Sequence, residues 1–320
     1  MTLLYNKHQR LRIFWRLLFF IILTFGINIP LQLTLQSILP DSLLRGFISG
    51  SIFLIAIIVS LYLQTKFIEK RPFGKYGLLV NGFWTIEFLI GCGIAAVQLV
   101  VLYGILYLSG NITIGDYFRT PPGATYSFAE GFFSETFSQL AGSVGEELFF
   151  RSFLFYLVLE SLRPLRKKTL TSALTASIIV STLFGLAHYS NESASILSTT
   201  NLVIDGLMLA VPFLLTGRLG MSIGIHFCWN LLQGAVFGAG ISGTSAKVSV
   251  IKVVTSDNLL TGGAFGPEGS ILILLLDAIA VGLVFLWSKT QKQKGLLSPL
   301  IVNEAADAGA GPSDLTLKTA

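Results

Sequence analysis

The chain has 320 residues, of which only 12% are charged and 52% hydrophobic, against about 25% charged in a soluble domain. With a mean hydropathy of +0.73, that composition excludes an ordinary soluble domain and is that of a membrane protein. The net charge of +5 and pI near 9.2 do not indicate nucleic acid as a partner, because the basic residues fall in short clusters between apolar runs rather than on one face.

Apolar runs near the length a bilayer needs, about 20 residues, occur at 17–35, 47–63, 86–108, 132–159, 170–187, 196–215, 221–237 and 271–287. The reading is therefore an all-α polytopic membrane protein with about eight transmembrane helices. The first run follows a basic flank, Lys7 to Arg16, and lacks a small-residue cleavage site, so it reads as a retained helix rather than a signal peptide. Pro30 is expected to kink or end it. Cys92 and Cys228 lie within apolar runs and read as small buried residues, not as a disulfide or a zinc pair.

Three pieces do not span. Residues 109–131, with Pro121, Pro122 and Gly123, form an external loop ending in an amphipathic segment around Phe132. Residues 238–270 form a second external loop that closes on Gly262-Gly-Ala-Phe-Gly-Pro-Glu-Gly269. From Ser288 the chain is first basic, then small and polar, and is expected to be disordered. Asn111-Ile-Thr and Asn191-Glu-Ser match glycosylation sequons, a frequent chance match. These boundaries divide the chain into an N-terminal three-helix segment (1–108), the external loop (109–131), a core (132–287) and a tail (288–320).

Loop charges give the orientation. Lys7, Arg10, Arg12 and Arg16 precede the first span; Lys66, Lys70, Arg71 and Lys75 follow the second; Arg163, Arg166, Lys167 and Lys168 follow the fourth. Arg218 follows the sixth, and Lys289, Lys292 and Lys294 the eighth. The alternate loops hold only Arg45, Arg119, Lys247 and Lys252. This asymmetry places a multi-pass protein in the cell membrane with both termini in the cytosol.

Against this background, Gly145-Glu-Glu-Leu-Phe-Phe-Arg151 is anomalous: two carboxylates and an arginine inside a span, each costing roughly 2.5–3.5 kcal/mol near the bilayer centre if uncompensated. Glu147 and Arg151 are four apart in the favourable acid-before-base order, so Glu147 is assigned to holding the arginine. Glu146 is turned about 100° away with no local cation. Gly142 and Gly145 clear bulk beside it. Of three histidines, His8 lies in the basic flank, while His188 closes Phe184-Gly-Leu-Ala-His and His226 opens His226-Phe-Cys-Trp-Asn230. Singly, a membrane histidine or a Glu–Arg pair is often a helix–helix contact. Jointly, two glutamates, an arginine, two histidines and an asparagine on three spans are too many for helix–helix glue and read as one buried polar site. Glu87 is expected to reach the interface, Asp205 and Asp277 to be isolated packing or hydration residues, and Trp229 and Trp287 to be packing and interfacial anchors.

Glu-Glu-x-x-x-Arg at Glu146–Arg151, Phe-x-x-x-His at Phe184–His188 and His-x-x-x-Asn at His226–Asn230 together resemble the CPBP family of intramembrane proteases. That family includes type II CAAX prenyl endopeptidases and bacterial relatives tied to bacteriocin immunity. The resemblance spans about 130–237; the Gly262–Gly269 stretch also looks like a feature of bacterial members. It implies peptide-bond hydrolysis in the membrane, with Glu146 and His188 activating water, Glu147 held by Arg151 as support, and His226 and Asn230 stabilising the oxyanion. The partners implied are the lipid bilayer and a membrane-embedded or lipidated peptide substrate. A cofactor-free glutamate mechanism is favoured; if zinc is used, Glu146, His188 and His226 are its ligands. A prenylated substrate is not favoured, given the bacterial style of the motifs.

Helix rise places Glu146 about 25 Å from Arg163 and His188 about 28 Å from Thr169, but His226 only about 12 Å from Arg218. The expected resolution is that the turn Gly217–Gly220 is sunk into the protein. Two other readings remain at this point: a proton- or cation-coupled transporter, weakened by the lack of internal repeats, and a catalytically silent immunity or scaffold protein.

Overall fold

The computed structural model describes residues 3–5, 11–40, 42–162, 169–291 and 295–302. Each expected span is helical. α1 (Ile13–Ile38), α2 (Leu43–Leu63) and α3 (Gly82–Leu108) come first. α4 (Phe128–Glu146) runs through a π-helical stretch, Glu147–Leu154, into α5 (Phe155–Leu162). α6 (Thr169–Ala187), α7 (Ile196–Thr216), α8 (Gly220–Leu231) and α9 (Ile273–Thr290) follow. Among the described residues, six helical stretches are long and apolar enough to cross a membrane: α1, α2 with its π-helical extension to Glu69, α3, α6, α7 and α9. The two expected spans outside that set are 132–159 and 221–237. The α4–α5 stretch is diluted by Glu130, Glu135, Glu146, Glu147, Arg151 and Glu160, and α8 has only 12 residues.

Helix starts follow local chemistry. Ser127 and Glu130 form a reciprocal capping box at α4 and Ser195 with Ser198 at α7, while Asn81 accepts from the Trp84 N–H at α3. Of the two expectations for Pro30, a kink or an end, it does not end α1; it lies inside the helix. The helix stops at Leu39, whose extended backbone is the conformation favoured before a proline, here Pro40.

Short α8 is held by close backbone approach to α3. A Cβ on Gly224 would stand 2.1 Å from the Phe88 carbonyl oxygen, one on Gly91 2.4 Å from that of Met221, and one on Gly220 2.5 Å from that of Trp84. Three glycines thus let the two helices meet without side chains between them, the small-residue packing that membrane interiors favour. The turn before α8 is sunk, as the depth argument required. Leu219 is fully buried and its N–H donates to Gly77 O at 3.1 Å. Arg218 donates from Nε to Glu87 Oε2 at 2.8 Å, with a second bond between Nη2 and Oε1. Glu87 is therefore not an interfacial residue; it is 1% exposed and neutralises the arginine of this turn.

Arg16 is likewise not a free flanking charge. It donates to Glu69 (Nε–Oε1 2.7 Å) and Glu160 (Nη1–Oε1 3.0 Å), tying α1 to the α2 extension and α5. At the other end of the helices the two loops expected to be irregular pair with each other. β1 (Ile112–Arg119) and β4 (Ser249–Thr255) form an antiparallel ladder from Ile112↔Thr255 to Arg119↔Ser249, with a bulge between Ile114 and Tyr117. Their β-branched runs, Ile112-Thr-Ile and Val250-Ile-Lys-Val-Val, supply the propensity. A small hairpin, β2 (Gly240–Ile241) with β3 (Thr244–Ser245), lies between them and α8.

The tail expected from Ser288 is ordered in part. α9 continues to Thr290, and residues 295–302 dock on the end of α7: the Ser298 N–H donates to Leu214 O at 2.7 Å and Ile301 is fully buried. Two apolar residues, Leu297 and Ile301, join the core there and outweigh the small polar composition around them. The expected disorder of 303–320 lies outside the described residues, as do His8 and the basic residues Lys7, Arg10, Arg163, Arg166, Lys167, Lys168, Lys292 and Lys294.

Candidate active site

The π-helical stretch begins at Glu147, the residue after the last α-helical one of α4. π-turns inside α-helices are frequent at functional sites. Here the transition separates the two glutamates completely. Glu147 is fully buried and its Oε1 lies 3.1 Å from Arg151 Nη1. The same oxygen accepts from His226 Nδ1 at 2.9 Å. Glu147 thus does two things, only one of which its spacing to Arg151 foretold: it neutralises the arginine and orients the α8 histidine. Arg151 is 2% exposed, and its Cζ sits 4.0 Å from the centroid of the Phe184 ring, an additional cation–π contact.

Glu146 points the other way, into a cavity of about 230 Å³. Its side chain is 33% exposed, and its Oε2 lies 4.0 Å from His188 Nε2 and 3.9 Å from His226 Nε2. Both ring orientations are fixed from behind. His188 Nδ1 donates to Phe184 O at 2.8 Å, and His226 Nδ1 donates to Glu147, so both Nε2 atoms face the Glu146 carboxylate. Phe184 packs between the imidazoles, 4.8 Å from the ring of His188 and 6.2 Å from that of His226. Asn230, one turn beyond His226, lines the same cavity. All six residues singled out in the sequence therefore meet: Glu146, His188, His226 and Asn230 around the cavity, with Glu147 and Arg151 packed behind it.

The gaps of 3.9 and 4.0 Å exceed a direct hydrogen bond. They leave the carboxylate and the two ring nitrogens facing one space, the geometry of a site that works through a third, small molecule. Glu146, His188 and His226 carry donor types that zinc accepts, and the Nδ1 bond of His226 to Glu147 leaves its Nε2 facing the same space as the Glu146 carboxylate. Among the described residues no group of three His, Cys, Asp or Glu side chains stands in a metal-holding arrangement.

Residues 132–232 match a family model described as type II CAAX prenyl endopeptidase Rce1-like. This segment belongs to that family. The Rce1-like segment contains all three motifs, and its start coincides with that expected for the core. No curated protein and no solved structure matches the chain.

Around the Rce1-like motifs the cavity has further polar lining that the sequence reading placed elsewhere. Asp205 of α7 and Asp277 of α9, expected to be isolated, face each other and both line it. Their common face follows from packing of α7 on α9, which no local spacing reveals. Glu268 is buried in the loop before α9. Its carboxylate accepts from Gln233 Nε2 at 2.8 Å, Trp229 Nε1 at 3.2 Å and, weakly, the Ser242 N–H at 3.4 Å. Burial pushes Glu268 above the ordinary glutamate range, against the pull of those bonds. Asn201 Nδ2 donates to Glu268 O and Ser270 O, both at 2.8 Å, so the Gly262–Gly269 stretch is pinned to α7 as well as α8. Trp229, read as packing, is also a hydrogen-bond donor to this loop.

Proposed function

We propose that the protein is an intramembrane endopeptidase that hydrolyses a peptide bond of a membrane-associated protein or peptide with water activated by Glu146. The observation that carries the reading is the convergence of Glu146 Oε2 with His188 Nε2 and His226 Nε2, at 4.0 and 3.9 Å, on one cavity. Nothing in a structural ion pair requires a partly exposed carboxylate to be faced by two imidazoles whose other nitrogens are both held.

In this reading a water occupies the space between Glu146 and His188. Glu146 takes one proton as the water oxygen attacks the scissile carbonyl carbon, and His188 Nε2 accepts the water's other hydrogen bond. The carbonyl oxygen becomes an oxyanion, met by the Asn230 amide N–H and by Nε2–H of a doubly protonated His226 ring. Donors already aimed at that position need no reorganisation during the reaction, which is where most of the rate advantage arises. Glu147, held by Arg151, accepts the Nδ1–H of that ring and keeps its Nε2 aimed at the oxyanion. As the tetrahedral intermediate collapses, Glu146 returns its proton to the leaving nitrogen and the C–N bond breaks.

The core 132–287 then carries the chemistry, the segment 1–108 surrounds it, and both termini lie in the cytosol by the distribution of loop lysines and arginines. The cavity is lined by Asn191, Ile241, Ser242 and Thr244, from the loops at the β-sheet end, which supports a site in the outer half of the membrane. A cytosolic prenylated substrate sits poorly with that placement. The test is comparative membrane proteomics of cells carrying wild type or Glu146→Gln. Membrane proteins that accumulate uncleaved with Glu146→Gln are expected. Identical proteomes with equal expression of both forms would overturn the reading.

A further inference from the structure

The cavity behind the catalytic residues has a one-sided chemistry. Among the described residues, four carboxyl groups line it (Glu146, Asp205, Glu268 and Asp277), and no lysine or arginine does. Two of the four are accounted for: Glu146 faces the histidines, and Glu268 is satisfied by Trp229, Gln233 and Ser242. Asp277 is not. It is 4% exposed, and among the described residues its carboxyl oxygens have no donor other than the facing carboxyl of Asp205, with which they can share at most one proton. An independent acceptor borders the same space. Gln98 of α3 lines the cavity and is 1% exposed; its Nε2 is spent on Leu276 O at 3.1 Å, and among the described residues its Oε1 has no donor.

Buried acceptors without donors are costly, and two facing carboxyls within a membrane domain more so. This end of the cavity lacks donors, not acceptors. Its walls, Leu202, Met208, Leu209 and Ile273, are apolar and suit an aliphatic stem. No three metal-ligating groups converge among the described residues, so the acceptors fit the spread donors of an organic cation better than a metal ion.

We propose that Asp205, Asp277 and the Gln98 carbonyl form a specificity subsite for a lysine or arginine side chain of the substrate close to the scissile bond. The proposal rests on the endopeptidase reading and supplies the substrate class that reading lacks. The aliphatic part of the basic side chain lies along Leu202, Met208 and Leu209, and its ammonium or guanidinium donates to both aspartates and to Gln98 Oε1.

Binding is measured first, with the full chain in detergent carrying Glu146→Gln, so that no turnover is needed. The probes are fluorescent hydrophobic peptides from a library in which one position is lysine, arginine, norleucine or glutamine. Basic peptides are expected to bind at least ~10-fold tighter than the norleucine and glutamine peptides, as for a charge-assisted hydrogen-bonded contact. Adding Asp277→Asn is expected to collapse that ratio to near unity while leaving affinity for the norleucine peptide unchanged. Should Asp277→Asn fail to fold, Gln98→Met keeps the volume and removes one acceptor, and is expected to reduce the ratio. Equal binding of basic and neutral peptides, or a preference that both variants retain, overturns the subsite. A basic preference in binding, with no peptide cleaved by the Glu146-containing protein, keeps the cation subsite and removes the endopeptidase reading instead.

Discussion

Replacing Glu147 by glutamine removes the carboxylate that faces both Arg151 and His226 while keeping its shape. Arg151 is 2% exposed; its contacts are Glu147 Oε1 at 3.1 Å and the face of Phe184 at 4.0 Å. Without Glu147 the close contact left to its charge among the described residues is the ring, worth at most about 2 kcal/mol. Breaking a buried ion pair from one side costs about 3–5 kcal/mol, and that is the destabilisation expected for Glu147→Gln. Glu146→Gln is expected to cost under about 1 kcal/mol, because that side chain is 33% exposed and its nearest ring nitrogens stand at 3.9 and 4.0 Å. Adding Arg151→Met to Glu147→Gln removes the stranded charge and is expected to restore stability to within about 1 kcal/mol of the parent. Activity is not restored, because His226 Nδ1 still lacks its carboxylate acceptor. Equilibrium unfolding by SDS titration in mixed micelles measures all four proteins. A Glu147→Gln protein as stable as the parent, or a double variant no more stable than the single one, would refute the assignment of Glu147 as the counter-ion.

Asn230→Ala is expected to lower kcat by about 10²–10³-fold with little change in KM, as for loss of one oxyanion donor; a comparable rise in KM with kcat unchanged would place Asn230 in substrate binding. Gly224→Ala sets a methyl group against the Phe88 carbonyl, where a Cβ would stand 2.1 Å away. It should cost about 1–3 kcal/mol by overpacking and displace His226 two residues on, seen as lower stability and lower activity together. Glu268 is raised by burial, so the folded state favours its protonated form. Its contribution to stability is therefore full at low pH and is lost as pH rises through the raised value. Unfolding temperature against pH should show that slope in wild type and a flatter one in Glu268→Gln; parallel curves would contradict it.

The helices and the three motif pairs were legible because each rests on local periodicity. Glu147 and Arg151 share a face four residues apart, as do Phe184 with His188 and His226 with Asn230, and those spacings survive folding whatever the helices do. The convergence of three helices on Glu146 was legible only as an expectation, since no spacing within one helix sets the distance to another. Residues settled by partners far along the chain were misread or undervalued. Glu87 waits 131 positions for Arg218, Arg16 waits 144 for Glu160, and Asp205 meets Asp277 through the α7–α9 packing. The same cause hid the sheet: β1 and β4 lie in two different loops, each β-prone but pairing only with the other. The short seventh segment looked too shallow until the sunk turn at Leu219, held by Gly77 O, explained how His226 reaches the depth of Glu146.

The central claim is that Glu146 activates the hydrolytic water. The most direct measurement is the initial rate of cleavage of an accumulated substrate by purified wild type and Glu146→Gln at equal folded concentration. The account predicts a fall of at least about 10³-fold, the upper range for loss of a general base, with unfolding in SDS nearly unchanged. A Glu146→Gln protein that cleaves the same bond at a rate close to wild type would contradict it.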